Sequence, residues 1–279
     1  MGHLTGVHGI GQQYLGRHQI LDRWTPALAD GLERATGRRA RRPDLDLAFY
    51  GDLFRPTAPR RSAKSPADDE VAAQVADLDA EELAELTEAV EEIVTPAALA
   101  DAATKADKGL WLPVPVQILV GAVERCFPGA SGILHLGVLR QVRRYLRDLH
   151  LKAEIDQIAT TAAGDATVLI GHSLGSVVAY EFLRQQPDHS VKLLVTLGSP
   201  LGLRMVRRRL PVGGLAVAHW INVRDRHDPV TAAGALDRWY PGVLERPVEN
   251  GADAHAAERY LDSRAVGEAL IEVLPELGR

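Results

Sequence analysis

Five consecutive residues have the types and spacing for nucleophilic chemistry: Gly171-His172-Ser173-Leu174-Gly175. Val168-Leu169-Ile170 before them is a short apolar run, and Leu174 to Gln185 after them has helical spacing. A serine between such a strand and such a helix occupies a sharp, strained turn. The turn lifts its hydroxyl above a sheet, where it can attack a carbonyl carbon. Side chains two positions before and two after would collide with the adjoining strand and helix, and both positions hold glycine. The amides that open the following helix point toward the negative charge such an attack develops. A plain structural turn is the competing reading. Chance matches are common in a chain with 25 glycines, but rare with a strand before, a helix after and Ser176 as a further small residue.

Placing that serine takes a sheet, and the flanking sequence predicts one. Leu4 to Gly11 reads as a strand feeding a glycine loop, and Asp44 to Tyr50 as a second strand. Between them Ile20, Leu21, Trp24, Leu28 and Leu32 recur at helical spacing from about Gln19 to Thr36, with Gly37 as the stop. A further helix is expected from Val138 to about Ile158, with Val142, Tyr145, Leu146 and Leu149 facing in and Arg140, Arg143, Arg144 and Arg147 facing out. Strands follow at Val191–Leu197 and Ala216–Val223, and a closing helix at Ala265–Leu274. Strands alternating with helices imply a parallel sheet covered on both faces.

Between Arg55 and Gly137 the character changes. Ser65 to Thr104 holds twelve Asp or Glu and no Lys or Arg. Val71, Val75, Leu78, Leu86, Val90 and Ile93 form one apolar stripe, Asp79 with Glu82 makes a capping box, and Thr95-Pro96 marks another helix start. The acidic face reads as solvated, or as a docking surface for a basic partner. Leu110 to Val123, with Pro113 and Pro115, reads as a cap lining or a buried connector. The expected organisation is a core over residues 1–54, a helical cap or insert over 55–137, and the rest of the core over 138–279.

With these motifs the chain resembles the α/β-hydrolases, in particular their lipase and esterase branches, over most of its length outside residues 55–137. His8-Gly9-Ile10-Gly11 resembles the His-Gly oxyanion loop of that family. The resemblance implies that the Ile10 and Leu174 amides hold the oxyanion, and that His8 is structural beneath the loop. It also implies the chain order serine, acid, histidine. In Arg224-Asp225-Arg226-His227-Asp228-Pro229-Val230, Asp228 matches the family's acid turn best. Asp225, nearer the strand end, stays open as the runner-up, its bland role being a carboxylate paired with Arg224 or Arg226. Among ten histidines, His255 lies in a late loop 27 residues beyond Asp228, with Tyr260 as the aromatic that often follows. His227 is adjacent to the acid and His219 falls inside a strand, so both fit less well. Gly198-Ser199-Pro200 is similar to a turn found after that strand in lipase-like proteins, which makes Ser199 a turn residue. Arg204, Arg207, Arg208 and Arg209 read as a solvated face, or as a site for an anionic head group or an acidic partner, the chain's own insert included. Two departures stand out. The family's first strands are missing before Leu4, and the insert precedes the nucleophile strand. The fold expected is therefore a reduced α/β-hydrolase.

Composition bounds the function. Hydrophobic residues at 46% and charged residues at 25% exclude a disordered or fibrous chain, and a net charge of −5 argues against a general nucleic-acid binder. Cys126 is the single cysteine, so no internal disulfide forms, and no zinc-type Cys/His spacing exists. There is no signal-peptide pattern, and the longest apolar run is too short to span a bilayer. A cytoplasmic location is expected, with peripheral membrane contact left open. The reaction expected is hydrolysis of a carboxylic ester, from a small-molecule or lipid acyl substrate, through an acyl-enzyme on Ser173, with no metal or organic cofactor. Thioesterase, acyltransferase and peptidase chemistry share that acyl-enzyme half. A catalytically silent binding or regulatory module, working through the acidic insert, is the alternative from another class.

Overall fold

The computed structural model of the chain describes residues 3–55 and 75–279, so the reading of Val71 falls outside the described residues. Six short segments pair into one sheet: β1 (Leu4–Val7), β2 (Leu45–Ala48), β3 (Val168–His172), β4 (Leu193–Leu197), β5 (His219–Asp225) and β6 (Val243–Val248). Their order is β2-β1-β3-β4-β5-β6 and every pairing is parallel. His172, Leu197 and Val223 stand side by side in the register, so the loops after β3, β4 and β5 leave the sheet at one level.

Alternate residues of each strand feed two buried clusters. Leu4, Val168, Ile170, Val195 and Ile221 pack against α1 (Arg17–Thr36), α8 (Ala257–Leu261) and α9 (Arg264–Val273). Val7, Leu169, Leu194 and Trp220 face the other way, toward α5 (Gly132–Arg147), α6 (Leu149–Ala163) and α7 (Leu174–Gln185). Burial on both faces is why the central strands β3 and β4 read as nearly unbroken apolar runs.

The insert contributes α2 (Ala80–Glu91), α3 (Pro96–Lys105) and α4 (Val114–Cys126). Asp79 caps α2 by accepting from the Glu82 amide at 2.7 Å, and Thr95 caps α3 through the Ala98 amide. Leu86, Val90, Ala98, Val116 and Leu119 share one buried cluster with Tyr50, Phe54, Leu136 and Val142.

Several sequence expectations need correction. The single helix over residues 138–158 is two. Asp148 has extended backbone (φ −86°, ψ 100°) between α5 and α6, and its side chain accepts from the His150 and Leu151 amides. Both helices feed one apolar cluster, so the periodicity runs on across the break. As a result Leu149 is 78% exposed, while Arg143 is buried and Arg144 lies over the Phe54 ring. Ser131 caps α5, so the expected boundary at Gly137 falls inside that helix. Of the Leu110–Val123 segment, Leu110 and Trp111 are exposed, Leu112 is buried, and Val114 to Val123 lie on α4. Strand β6 had no clear apolar pattern, because it is a half-exposed edge strand containing Pro247. No described helix is long and apolar enough to cross a membrane.

Candidate active site

The chain runs from β1 outward to β2 and returns to β3 on the other side of β1. At such a reversal the loops after the two strands diverge, which opens a crevice at their carboxyl ends. His8 to Gly11 leaves β1 there and Ser173 leaves β3. Ser173 has φ 53° and ψ −126°, and is the one non-glycine residue with positive φ among the described residues. Backbone strain of this kind costs about 1–3 kcal/mol. Its amide donates to the Leu197 carbonyl at 2.9 Å. The Ser176 hydroxyl bridges the Ser173 carbonyl at 2.6 Å and the Ser199 hydroxyl at 2.7 Å. A Cβ at Gly171 would stand 2.6 Å from Ser176 Cα, and one at Gly175 would run into the Val7 and His8 carbonyls. Both glycines are therefore required by close approach.

His255 Nε2 lies 3.0 Å from Ser173 Oγ, and His255 Nδ1 lies 2.7 Å from Asp228 Oδ2. Ser173 and Asp228 are fully buried, whereas the His255 side chain is 25% exposed. Asp228 Oδ2 also accepts from the Tyr260 hydroxyl at 2.7 Å, and Oδ1 from the Val230 amide at 2.9 Å. Burial pushes the Asp228 carboxyl up, but the neighbouring His255 and the bonds from His255, Tyr260 and Val230 outweigh it and hold the group below the ordinary carboxylate value. A carboxylate at Nδ1 keeps the imidazole proton there and leaves the Nε2 lone pair facing the serine hydroxyl. Such a chain can draw the proton from Ser173. Gly198, at φ 53°, makes room for it: a Cβ there would stand 3.0 Å from Asp228 Oδ2 and 3.1 Å from His255 Nδ1.

Asp225 is brought close to this group but turned to other partners. Its Oδ1 accepts from the His227 amide at 2.8 Å and its Oδ2 from the Asn250 amide at 2.5 Å. Asn250 in turn donates to the Ala254 carbonyl at 3.0 Å, so Asp225 ties the loop that carries His255 to the end of β5. Arg224 and Arg226 pair with Glu245 and Glu249 instead. His227 is half-exposed beside Asp225, and His219 opens β5 at the far end of the sheet from Ser173.

His8 is buried. Its Nε2 accepts from the Tyr50 amide at 3.1 Å and its Nδ1 donates to the Gly9 carbonyl at 2.6 Å. Burial lowers its pKa to about 4, so the ring is neutral. A Cβ at Gly9 would stand 2.7 Å from Ser173 Cβ, so the loop bearing Ile10 runs directly against the serine. Leu174 opens α7, where amides have no partner within the helix. Two surface hollows, around Arg34 with Arg39 and around Arg34 with Arg264, take in neither Ser173, His255 nor Asp228.

Two features of this group were not legible in the sequence. His172 donates through Nε2 to the His255 carbonyl at 2.9 Å and packs its ring 4.8 Å from that of His255. Burial lowers its pKa to about 3. As the middle residue of Gly-x-Ser it gave no cue of its own. Tyr260 was singled out as an aromatic, but its hydroxyl also accepts the Asp225 amide at 3.1 Å, joining the two aspartates.

The arginines after β4 meet the chain's own insert. Arg204 and Arg208 pair with Glu88, Arg207 with Glu92 and Arg209 with Glu85. From the other side Arg140 reaches Glu82, Arg143 reaches Glu85, and Arg147 reaches Glu81.

Residues 137–207 match the family model of lecithin:cholesterol acyltransferase. That stretch is about a quarter of the chain. It takes in β3, Ser173, α7, β4 and the Ser199 turn, and stops short of Asp228 and His255. Comparison with curated proteins brings no match. The family match and the parallel sheet flanked by helices together fit the α/β-hydrolase superfamily. They also support lipase- or acyltransferase-type serine chemistry in general terms.

Proposed function

We propose that the chain is a serine hydrolase that cleaves carboxylic esters, with Ser173 as nucleophile, His255 as general base and acid, and Asp228 as the carboxylate that orients His255. One observation carries this reading: the unbroken chain from Ser173 Oγ through His255 to Asp228, at 3.0 and 2.7 Å, built on a strained turn. His255 Nε2 takes the Ser173 proton as Oγ bonds to the ester carbonyl carbon. The Ile10 and Leu174 amides receive the oxyanion, a contribution of about 3–4 kcal/mol per donor. The tetrahedral adduct collapses, the C–O bond to the alcohol breaks, and His255 returns the proton to the leaving alkoxide. Water then repeats the sequence on the acyl-enzyme and frees the acid. The insert at 55–137 acts as a cap. Leu201 and Val230, which flank the Ser199 turn and Asp228, belong to the same apolar cluster as Val116 and Leu119 of the insert, which supports an insert packed close to the serine.

Fluorophosphonate labelling tests the reading. Modification of the wild-type protein but not of Ser173→Ala is expected, together with Ser173-dependent turnover of p-nitrophenyl esters; neither occurring would sink it. Acyl transfer to an alcohol is a second outcome, favoured by the complete burial of Ser173 and by the family match. Product analysis with added alcohol acceptors separates it from hydrolysis.

A further inference from the structure

One oxygen of Asp228 serves two donors. His255 Nδ1 lies 2.7 Å from Oδ2, and the Tyr260 hydroxyl donates to the same atom at 2.7 Å. Packing alone does not ask for that hydroxyl. The Tyr260 ring sits in an apolar cluster with Ala257, Leu261 and Val266, where a phenylalanine ring would serve as well. The side chain is fully buried, so its oxygen is out of reach of solvent and is matched from within the protein. The Asp225 amide donates to it at 3.1 Å. A hydroxyl that accepts a hydrogen bond becomes a stronger donor in turn. Burial, with the Asp228 charge beside it, raises the Tyr260 pKa well above the ordinary phenol value, so the donated proton stays on the phenol.

Two donors on one carboxylate oxygen compete for its charge. What the Tyr260 hydroxyl draws off no longer stabilises the imidazolium that forms when His255 takes the Ser173 proton. Removing that hydroxyl would act twice in one direction. Oδ2 would hold the Nδ1 proton more tightly and favour the charged ring, and Asp228 would itself take up a proton at higher pH. Either change withdraws the working base from the acid side.

The remaining groups around this oxygen do not supply the same effect. His172 on β3 has its ring 6.2 Å from that of Tyr260, and His135 on α5 lies near enough to Asp228 and His255 to feel both. Burial lowers their pKa values to about 3 and about 4, so both rings are neutral near pH 7. Asp225 on β5 is turned to the His227 and Asn250 amides, with His227 Nδ1 3.2 Å from its Oδ1. β4 presents Gly198. α1, which packs against α8, adds apolar Trp24, Ala27 and Leu28, while its Arg34 is held by Asp262.

From this geometry we infer that Tyr260 is a positioning residue for Asp228: by sharing Oδ2 with His255 it sets how much of the carboxylate charge reaches the imidazole, and so the lowest pH at which Ser173 is activated. The inference rests on the serine-hydrolase reading above and gives that site its acid limit.

Tyr260→Phe keeps the ring and removes the oxygen. The rate of fluorophosphonate labelling of the full chain, followed from about pH 5 to about pH 9, rises along an acid limb. In Tyr260→Phe that limb is expected at least about half a pH unit above wild type, an approximately threefold change in proton affinity. Tyr260→3-fluorotyrosine makes the hydroxyl a stronger donor and should move the limb the other way. A residue that only fills space would lower the plateau or the melting temperature and leave the limb in place. An unmoved limb in Tyr260→Phe, or movement in the same direction for both replacements, overturns the inference. If Tyr260→Phe does not fold, the fluorotyrosine decides alone, and an unmoved limb there has the same force. The low-field proton resonance of His255 Nδ1–H reports the bond without any reaction. It should shift further downfield in Tyr260→Phe, and Asp228→Asn assigns it by abolishing it. That shift in a protein that never labels keeps the role of Tyr260 and removes the hydrolase. Labelling with limb and resonance both unmoved keeps the hydrolase and removes the role.

Discussion

The sheet edge around Ser173 and the acidic face of α2 both gather charged and polar groups, and they hold them in opposite ways. At the edge each group has a few fixed partners set by geometry. Asp228 spreads its two oxygens over His255, Tyr260 and Val230, and the neighbouring glycines leave no room for an added Cβ. At α2, Glu81, Glu82, Glu85 and Glu88 each pair with two or more arginines, several of them a third exposed or more. Residues 55–137 hold 14 acidic and seven basic side chains against 23 and 25 in the rest of the chain, so opposite sign adds to the apolar contact between the two parts. One region depends on geometry and fails when a single atom is lost. The other depends on redundancy and should weaken by degrees.

The sharpest test of that contrast is Ser173→Ala, which should reduce p-nitrophenyl ester turnover by about 10⁶-fold or to background. A mild loss would mean that the edge is less exacting than its geometry. Next, Asp228→Asn should lower kcat by about 10⁴-fold by favouring the wrong imidazole tautomer. Asp225→Asn should act mainly on the urea midpoint, by loosening the His255 loop. Reversed effects in that pair would exchange their roles.

Acid should damage the buried edge before it damages the surface pairs. His8, His135 and His172 titrate near 4, 4 and 3 in the folded chain, against 6.5 when exposed. Between those limits the unfolded chain binds more protons than the native one. Their stabilisation is therefore complete above pH 6.5 and is lost as pH falls toward 4, at about 1.4 kcal/mol per pH unit for each ring. Urea titrations at pH 7 and pH 4.5 would show it, and equal midpoints would contradict the burial of these rings. The smallest effect belongs to Glu88→Gln. Loss of its two arginine partners should cost under about 1 kcal/mol, and the difference should shrink in 1 M salt.

What the sequence disclosed follows the same division. The strand, turn and helix around Ser173 were legible because a strained turn and close backbone approach leave few residue choices, and those choices stand next to one another in the chain. The capping box at Asp79 was legible for the same reason. The contributions of His172 and Tyr260 were not, since each depends on a partner tens of residues away and neither alters the local pattern. The break at Asp148 was hidden because α5 and α6 bury residues in one shared cluster. Strand β6 was hidden because an edge strand needs little apolar content. The arginines after β4 were recognised as a group, but only the folded chain shows which glutamates they meet.

The backbone of Ser173 carries one more consequence. At φ 53° a glycine would sit without strain, so Ser173→Gly should be more stable than the parent by about 1–3 kcal/mol while doing no chemistry. A mutant library of this protein sorted for heat resistance alone would therefore enrich inactive chains. Any campaign to toughen it has to score turnover in the same round as survival.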